Sequence, residues 1–197
     1  MTATEHVIYA LLWLSFGLGH SVLASACAKR ITGSVFGTRE RLAYNAIAVI
    51  HLAAIVFAGW FWLGGRTAEA FDLATPVRWA MTASMVLGAA VLLVAYRHYD
   101  GGRFTGWRPV AADAPPEPLH TAGLHRYVRH PLYSGALLML AGIADDPFGL
   151  ASSIWAAAYF IIGARYEERR LIDLYGDAYR DYRLAVPGFV PWKGRAI

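Results

Sequence analysis

Cysteine is almost missing from this chain. Cys27 stands alone, so an intrachain disulfide is excluded, no CxxC or zinc-type spacing exists, and no metal centre is expected. Charge is nearly as scarce, at 16% of residues against 57% hydrophobic. Mean hydropathy is +0.38, and the few charges fall in blocks between long apolar runs. That is the composition of an integral membrane protein. The formal net charge of +4 does not point to nucleic acid, because no basic stripe with interleaved aromatics stands outside the loops that flank the apolar runs. Neither an internal repeat nor a low-complexity segment is present. The first apolar run follows Glu5 and His6 rather than a positive leader, and it is long enough to span, so it is expected to be retained as a membrane segment.

The fold class expected is all-α, with about five transmembrane segments in a single membrane domain, 1–197. The segments are residues 7–25, 42–63, 77–96, 131–144 and 148–164. Residues 1–100 hold the amino-terminal part, 101–130 form a loop, and 131–197 form a hairpin with a charged tail. The loop is rich in Gly and Pro and too interrupted for a long helix. The fourth segment is short: from Pro131 to Ala144 a helix covers roughly 21 Å at ~1.5 Å per residue, below the ~30 Å hydrocarbon core. It pairs with the fifth as a tight helical hairpin, turned at Asp145, Asp146 and Pro147. From Tyr166 to Leu184 the tail resumes a helical pattern, with Leu171, Leu174, Tyr175, Tyr179 and Tyr182 on one face. Every lysine and arginine except Arg66 and Arg78 falls on one side of such a topology. The amino terminus is therefore expected outside and the carboxyl-terminal helix in the cytoplasm, as in a bacterial inner membrane.

Two charged collars bracket the hairpin. The first, GLHRYVRHPLYSG from Gly123 to Gly135, groups Arg126, Arg129 and His130 just before Pro131 starts a helix. The second begins RYEERR and places Glu167 and Glu168 beside arginines and tyrosines. Folded back, the hairpin sets cations and an imidazole against carboxylates and aromatics at one water interface. Such a pocket suits a zwitterionic, cationic-centred nucleotide such as S-adenosylmethionine. Arg129 or His130 can meet its carboxylate, a glutamate can accept from ribose hydroxyls, and Tyr133 can face the sulfonium. Methyl transfer then needs mainly positioning in a pocket that excludes water. None of the usual covalent-nucleophile arrangements is present. In the first segment His20 stands inside the membrane beside Ser21. It can orient or deprotonate a thiol substrate, and equally the two can hydrogen-bond a neighbouring helix. His51 and His98 read as structural, and the histidine spacing does not fix a bis-histidine haem site.

The motifs RHPLYSG and YEERRLIDLYGDAYRDYRLAVPGFVP resemble the carboxyl-terminal half of the isoprenylcysteine carboxyl methyltransferase and phospholipid methyltransferase superfamily. Its pattern is an Arg-His-Pro-x-Tyr-x-Gly element and a Glu-Glu pair across a hairpin. GHSVLAS, RLAYNAIAV and YDGGRFTGWRPV are similar to its methanethiol S-methyltransferase and NnrU-type branch. The resemblance implies a cytoplasmic S-adenosylmethionine site at Arg129, His130, Pro131, Tyr133, Glu167 and Glu168, with Tyr179 and Tyr182 nearby. His20 and Glu167 are the candidate catalytic residues. The expected acceptor is small or lipid-soluble, a thiol such as methanethiol, entering from membrane lipid. Alternatives are a lipid amine or isoprenylcysteine-type acceptor, an NADPH-dependent membrane reductase, and a non-catalytic or haem protein of nitrogen-oxide metabolism.

Overall fold

The computed structural model describes residues 1–108 and 118–193, and every regular element among them is helical. Helix α1 (Ala3–Ala24) opens on a capping box, in which the Thr2 hydroxyl accepts from the Glu5 amide and the Glu5 carboxylate accepts from the Thr2 amide. Two amides that a helix start leaves without partners are thereby satisfied. Ser25 then caps α2 (Ala26–Phe36) by accepting from the Ala28 amide, so the stretch expected as a basic link is helical. A 3-10 turn at Gly37–Arg39 leads into α3 (Glu40–Trp62). Helix α4 (Thr75–Tyr96) carries Pro76 in its first turn, and α5 (Gly101–Thr105) is one short turn capped by Asp100. Prolines also open α6 (Pro131–Gly142) and α7 (Pro147–Tyr175), where a missing N–H costs nothing. Asp146 accepts from the Phe148 and Gly149 amides, at 2.7 and 2.8 Å, and so caps α7.

The expected apolar segments are all helical, with one correction at the last. Helix α7 does not stop at Ala164 but runs on to Tyr175, because Arg165 to Leu174 contain no helix breaker and mostly strong helix formers. The break comes at Gly176, whose φ of +60° favours glycine, and α8 (Asp177–Ala185) follows. The tail is therefore two helices, and Glu167 and Glu168 ride on the same helix as the apolar segment. Residues 109–117 of the long loop lie outside the described residues.

Among the described residues, four helical stretches are long and apolar enough to cross a membrane: Ala3–Ala24, Cys27–Trp62, Thr75–Tyr96 and Pro147–Tyr175. Pro131–Gly142 is a shorter apolar helix. Leu11, Leu18, Ile50, Trp79, Val86 and Leu93 all stand exposed on these rods, an arrangement that suits lipid and not water. The chain is an integral membrane protein.

Two compact units divide the chain. The first comprises Met1–Phe71, Tyr99–Pro115 and Asp146–Trp155. Tyr9, fully buried, is its centre: its hydroxyl pairs with Ser152 Oγ at 2.8 Å and its ring packs on Phe148. Helix α5 is tied to α3 by Asn45, which donates to the Phe104 and Thr105 carbonyls. The second unit comprises Asp72–His98, Pro116–Asp145 and Ala156–Ile197. Here α4 and α6 pack backbone to backbone at glycines: a Cβ on Gly88 would stand 2.6 Å from the Gly135 carbonyl, and one on Gly142 would stand 2.8 Å from the Met81 carbonyl. Ser84 Oγ donates to the Leu138 carbonyl across the same seam. Small residues that admit close approach are the usual means of holding helices together where lipid removes the hydrophobic drive.

Gly88→Val should therefore lower the thermal unfolding midpoint of the detergent-purified protein, at a cost of at least about 1–3 kcal/mol for overpacking. Gly17, which has nothing within 4 Å of its missing Cβ, supplies the contrast. Gly17→Ala should hold or raise the midpoint, by up to about 1 kcal/mol of helix propensity.

Candidate active site

The first collar is built just before α6. A 3-10 turn at Gly123–Arg126 leads to Arg129 and His130, and His130 is the last residue before Pro131 opens the helix. Helix α7 brings Glu167 and Glu168 to the same place. Glu168 Oε1 accepts from Arg129 Nε at 2.8 Å, Arg129 Nη2 at 2.6 Å and His130 Nε2 at 3.0 Å. The His130 Nδ1 edge faces Glu167 Oε2 at 3.6 Å. Glu168 is almost enclosed, whereas the Glu167 side chain is 47% exposed.

The chain beyond α8 closes over this cluster. Arg129 Nη1 donates to the Arg183 and Val186 carbonyls. The Arg129 amide donates to the Pro187 carbonyl at 2.9 Å, and the His130 amide to that of Gly188 at 3.0 Å. Ser134 Oγ lies 2.7 Å from the Phe189 carbonyl. Four consecutive carbonyls, from Val186 to Phe189, are thus engaged by residues 129–134. The segment is a strap. Its Phe189 ring packs on His130, which stacks on Tyr133, which stacks on Phe160, with centroid separations of 5.5, 5.5 and 5.2 Å.

Beneath the strap lie the remaining residues singled out by sequence. Pro131 and Tyr179 are fully buried and Tyr182 nearly so. Tyr179, Tyr182 and Val186 form a core with Leu119, Leu171, Ile172 and Tyr175. Tyr182 donates to the His125 carbonyl at 2.7 Å, which ties α8 to the first collar. The Tyr179 hydroxyl is buried without a hydrogen-bond partner among the described residues. Burial, with Glu168 nearby, pushes its pKa up to about 12, although Arg129 pulls the other way. Tyr179 therefore stays a neutral phenol.

His20 belongs to the other unit. It pairs with Tyr44 on α3, and Ser21 donates back to the Gly17 carbonyl of its own helix rather than to a neighbour. A groove of about 260 Å³ in that unit, lined by His6, Phe71, Pro147, Leu150, Ala151, Ile154 and Trp155, contains none of the site residues named above. Ser134 and Phe189 stand within the sequence motifs, yet no spacing singles them out. Their roles come from contacts across more than fifty residues of chain.

The histidines here respond to pH in opposite senses. Burial disfavours charge on His130, but Glu167 and Glu168 outweigh it and raise its pKa above 6.5. Its contribution to stability is complete below the ordinary value and is lost as pH rises through the raised one. His125 is buried against His120, His98 and His130, and burial first, then their charges, lower its pKa to about 4. Its contribution is present above 6.5 and is lost as pH falls through about 4. His125→Gln should therefore flatten the acid loss of the thermal midpoint between pH 6.5 and about 4, as read from unfolding curves across that range.

The chain is 31% identical to the methanethiol S-methyltransferase of Mycobacterium tuberculosis over 199 residues, covering 96% of this chain and 79% of the relative. Methanethiol S-methyltransferase 1 of Bradyrhizobium diazoefficiens is 30% identical over 201 residues, with 98% and 69% covered. The methanethiol S-methyltransferase of a Pseudomonas species, strain GM41(2012), is 29% identical over 202 residues, with 94% and 73% covered. No family model and no solved structure matches. Alignment to these relatives over nearly its whole length shows that the chain belongs to the methanethiol S-methyltransferase family and is a membrane methyltransferase.

Proposed function

We propose that this protein transfers a methyl group from S-adenosylmethionine to a small thiol such as methanethiol, with the donor held at the collar of Arg129, His130, Glu167 and Glu168. The observation that carries the reading is the network centred on Glu168 and closed by the strap, in a chain of this family. The acceptor class comes from the names of the relatives.

The residues present fit such a donor. Glu167 is the exposed carboxylate of the cluster and can accept from hydroxyl groups. The buried Tyr179 hydroxyl, lacking a partner among the described residues, offers a further polar contact. Arg129 points its Nε, Nη1 and Nη2 groups at Glu168 and at two carbonyls, so its part is to fix the Glu168 carboxylate and the strap. His130 sits between Glu167 and Glu168, whose carboxylates favour its charged form, and Tyr133 braces it by stacking. Pro131 and Tyr182 shape the wall behind. A bound sulfonium donor supplies an electrophilic methyl group, and the protein's work is orientation and exclusion of water. His20 and Glu167 are the groups proposed to take the thiol proton.

The reading includes about five spans, with α6 and α7 as the hairpin, the amino terminus outside and α8 at the cytoplasmic face of a bacterial inner membrane. The acceptor, small and lipid-soluble, enters from the bilayer.

Calorimetric titration of the purified protein with S-adenosylmethionine, S-adenosylhomocysteine and NADPH tests the donor. Both adenosyl ligands should bind and NADPH should not; NADPH binding alone would sink the methyltransferase site proposed here. Glu168→Gln should abolish adenosyl binding and destabilise the fold by about 3–5 kcal/mol, because it strands the buried Arg129 charge. Glu167→Gln, at the exposed carboxylate, should weaken binding with the melting midpoint nearly unchanged.

A further inference from the structure

In the first unit, helix α2 stands between two spanning helices and belongs to neither. Ser25, in extended backbone, breaks it from α1, and Gly37, at φ +55°, breaks it from α3. Its 11 residues cover ~16 Å, about half of a hydrocarbon core. Helices α1 and α3, at 22 and 23 residues, each reach across such a core unaided. Helix α2 packs on both of them, and Thr32 Oγ1 lies 3.3 Å from Glu40 Oε1 at the start of α3. The rest of its surface forms two opposed faces. Cys27, Ile31 and Val35 recur every four residues on one side, all of them exposed, Ile31 at 60% and Val35 at 70%. Lys29 and Arg30 stand exposed on the other side, and Arg39 and Arg41, also exposed, follow the turn. None of these four cations makes an ion pair or a side-chain hydrogen bond among the described residues. Between residues 26 and 41 the one carboxylate is Glu40.

One solvent cannot serve both faces. Water leaves Ile31 and Val35 exposed at a hydrophobic cost, and hydrocarbon leaves Lys29 and Arg30 charged without partners. The boundary between membrane and water serves both, and a helix with one apolar side and one Lys/Arg side is the form that lies along it. We infer that α2 lies in the plane of the membrane surface and is a docking site for anionic phospholipid headgroups. Cys27, Ile31 and Val35 enter the acyl layer, Lys29 and Arg30 meet phosphate oxygens at the level of the headgroups, and Arg39 and Arg41 extend the basic rim. Charge decides the occupant. Four cations stand against one carboxylate, and that carboxylate is already turned to Thr32. The planar fork of Arg30 matches two phosphate oxygens at once, while Lys29 supplies a point charge. This role uses no residue of the collar and does not depend on the methyl-transfer reading.

Cys27, exposed and the only cysteine of the chain, carries a reporter without further engineering. The whole chain, labelled there with a fluorophore, is reconstituted in vesicles that hold either phosphatidylglycerol or phosphatidylcholine with a nitroxide on the acyl chain. The nitroxide lipid should quench the fluorophore, and aqueous iodide should not. Phosphatidylglycerol should associate at least about 5-fold more tightly than phosphatidylcholine, the factor that a single cation near an anionic surface supplies. Lys29→Gln combined with Arg30→Gln should bring the two lipids to parity, with quenching by both retained because the helix stays in place. Arg66→Gln, beyond the far end of α3, should keep the preference. Equal association in the wild type, or a preference that survives the double substitution, would overturn headgroup recognition by α2. Quenching by iodide in place of the nitroxide lipid would overturn its placement at the membrane surface.

Discussion

One oxygen of Glu168 gathers the second unit. It accepts two hydrogen bonds from Arg129 and one from His130, and each donor is itself tied, through its amide or guanidinium, to the strap that follows α8. Removing charged groups from water is expensive, and the expense is offset only when geometry and hydrogen bonding are complete. The completeness explains why Arg129 cannot be exchanged lightly: a lysine offers a point charge, not the planar fork that reaches Glu168 and two carbonyls together. The same network raises the pKa of His130, because two carboxylates outweigh its burial.

The membrane explains the contrast between this dense polar knot and the rest of the chain. Along the spanning helices the outward residues are apolar and exposed, so little hydrophobic energy distinguishes one helix packing from another. Specific pairing then depends on small residues and on isolated polar contacts. The glycine seam between α4 and α6, the Ser84 bond to Leu138 and the Tyr9 bond to Ser152 do this in their respective units. Each is a short-range constraint that a single methyl group or hydroxyl can remove.

Much of this was legible in the sequence, for identifiable reasons. The cores of α1, α3 and α4 are apolar runs of spanning length, and Pro131 and Pro147 mark the starts of α6 and α7 with no ambiguity of period. The pairing of the collars was readable from the Arg129-His130-Pro131 element and the Glu167-Glu168 pair because charge is so rare elsewhere. The end of α7 was not, because Arg165 looks like the end of a membrane segment and says nothing about the end of a helix. Only the backbone of Gly176 supplies that stop. The partnership of Tyr44 with His20 and of Phe189 with His130 left no periodic trace either. Both are side-chain contacts between elements, fixed by the packing of helices rather than by spacing along one of them.

The strap has a further consequence for how the protein is made. Arg129, His130 and Ser134 find the carbonyls they bind on residues 186–189, which leave the ribosome long after α6. A chain that lacks residues 186–189 therefore holds its cations and carboxylates without their cover. The collar closes only once the last of its parts in chain order, the strap, has been made.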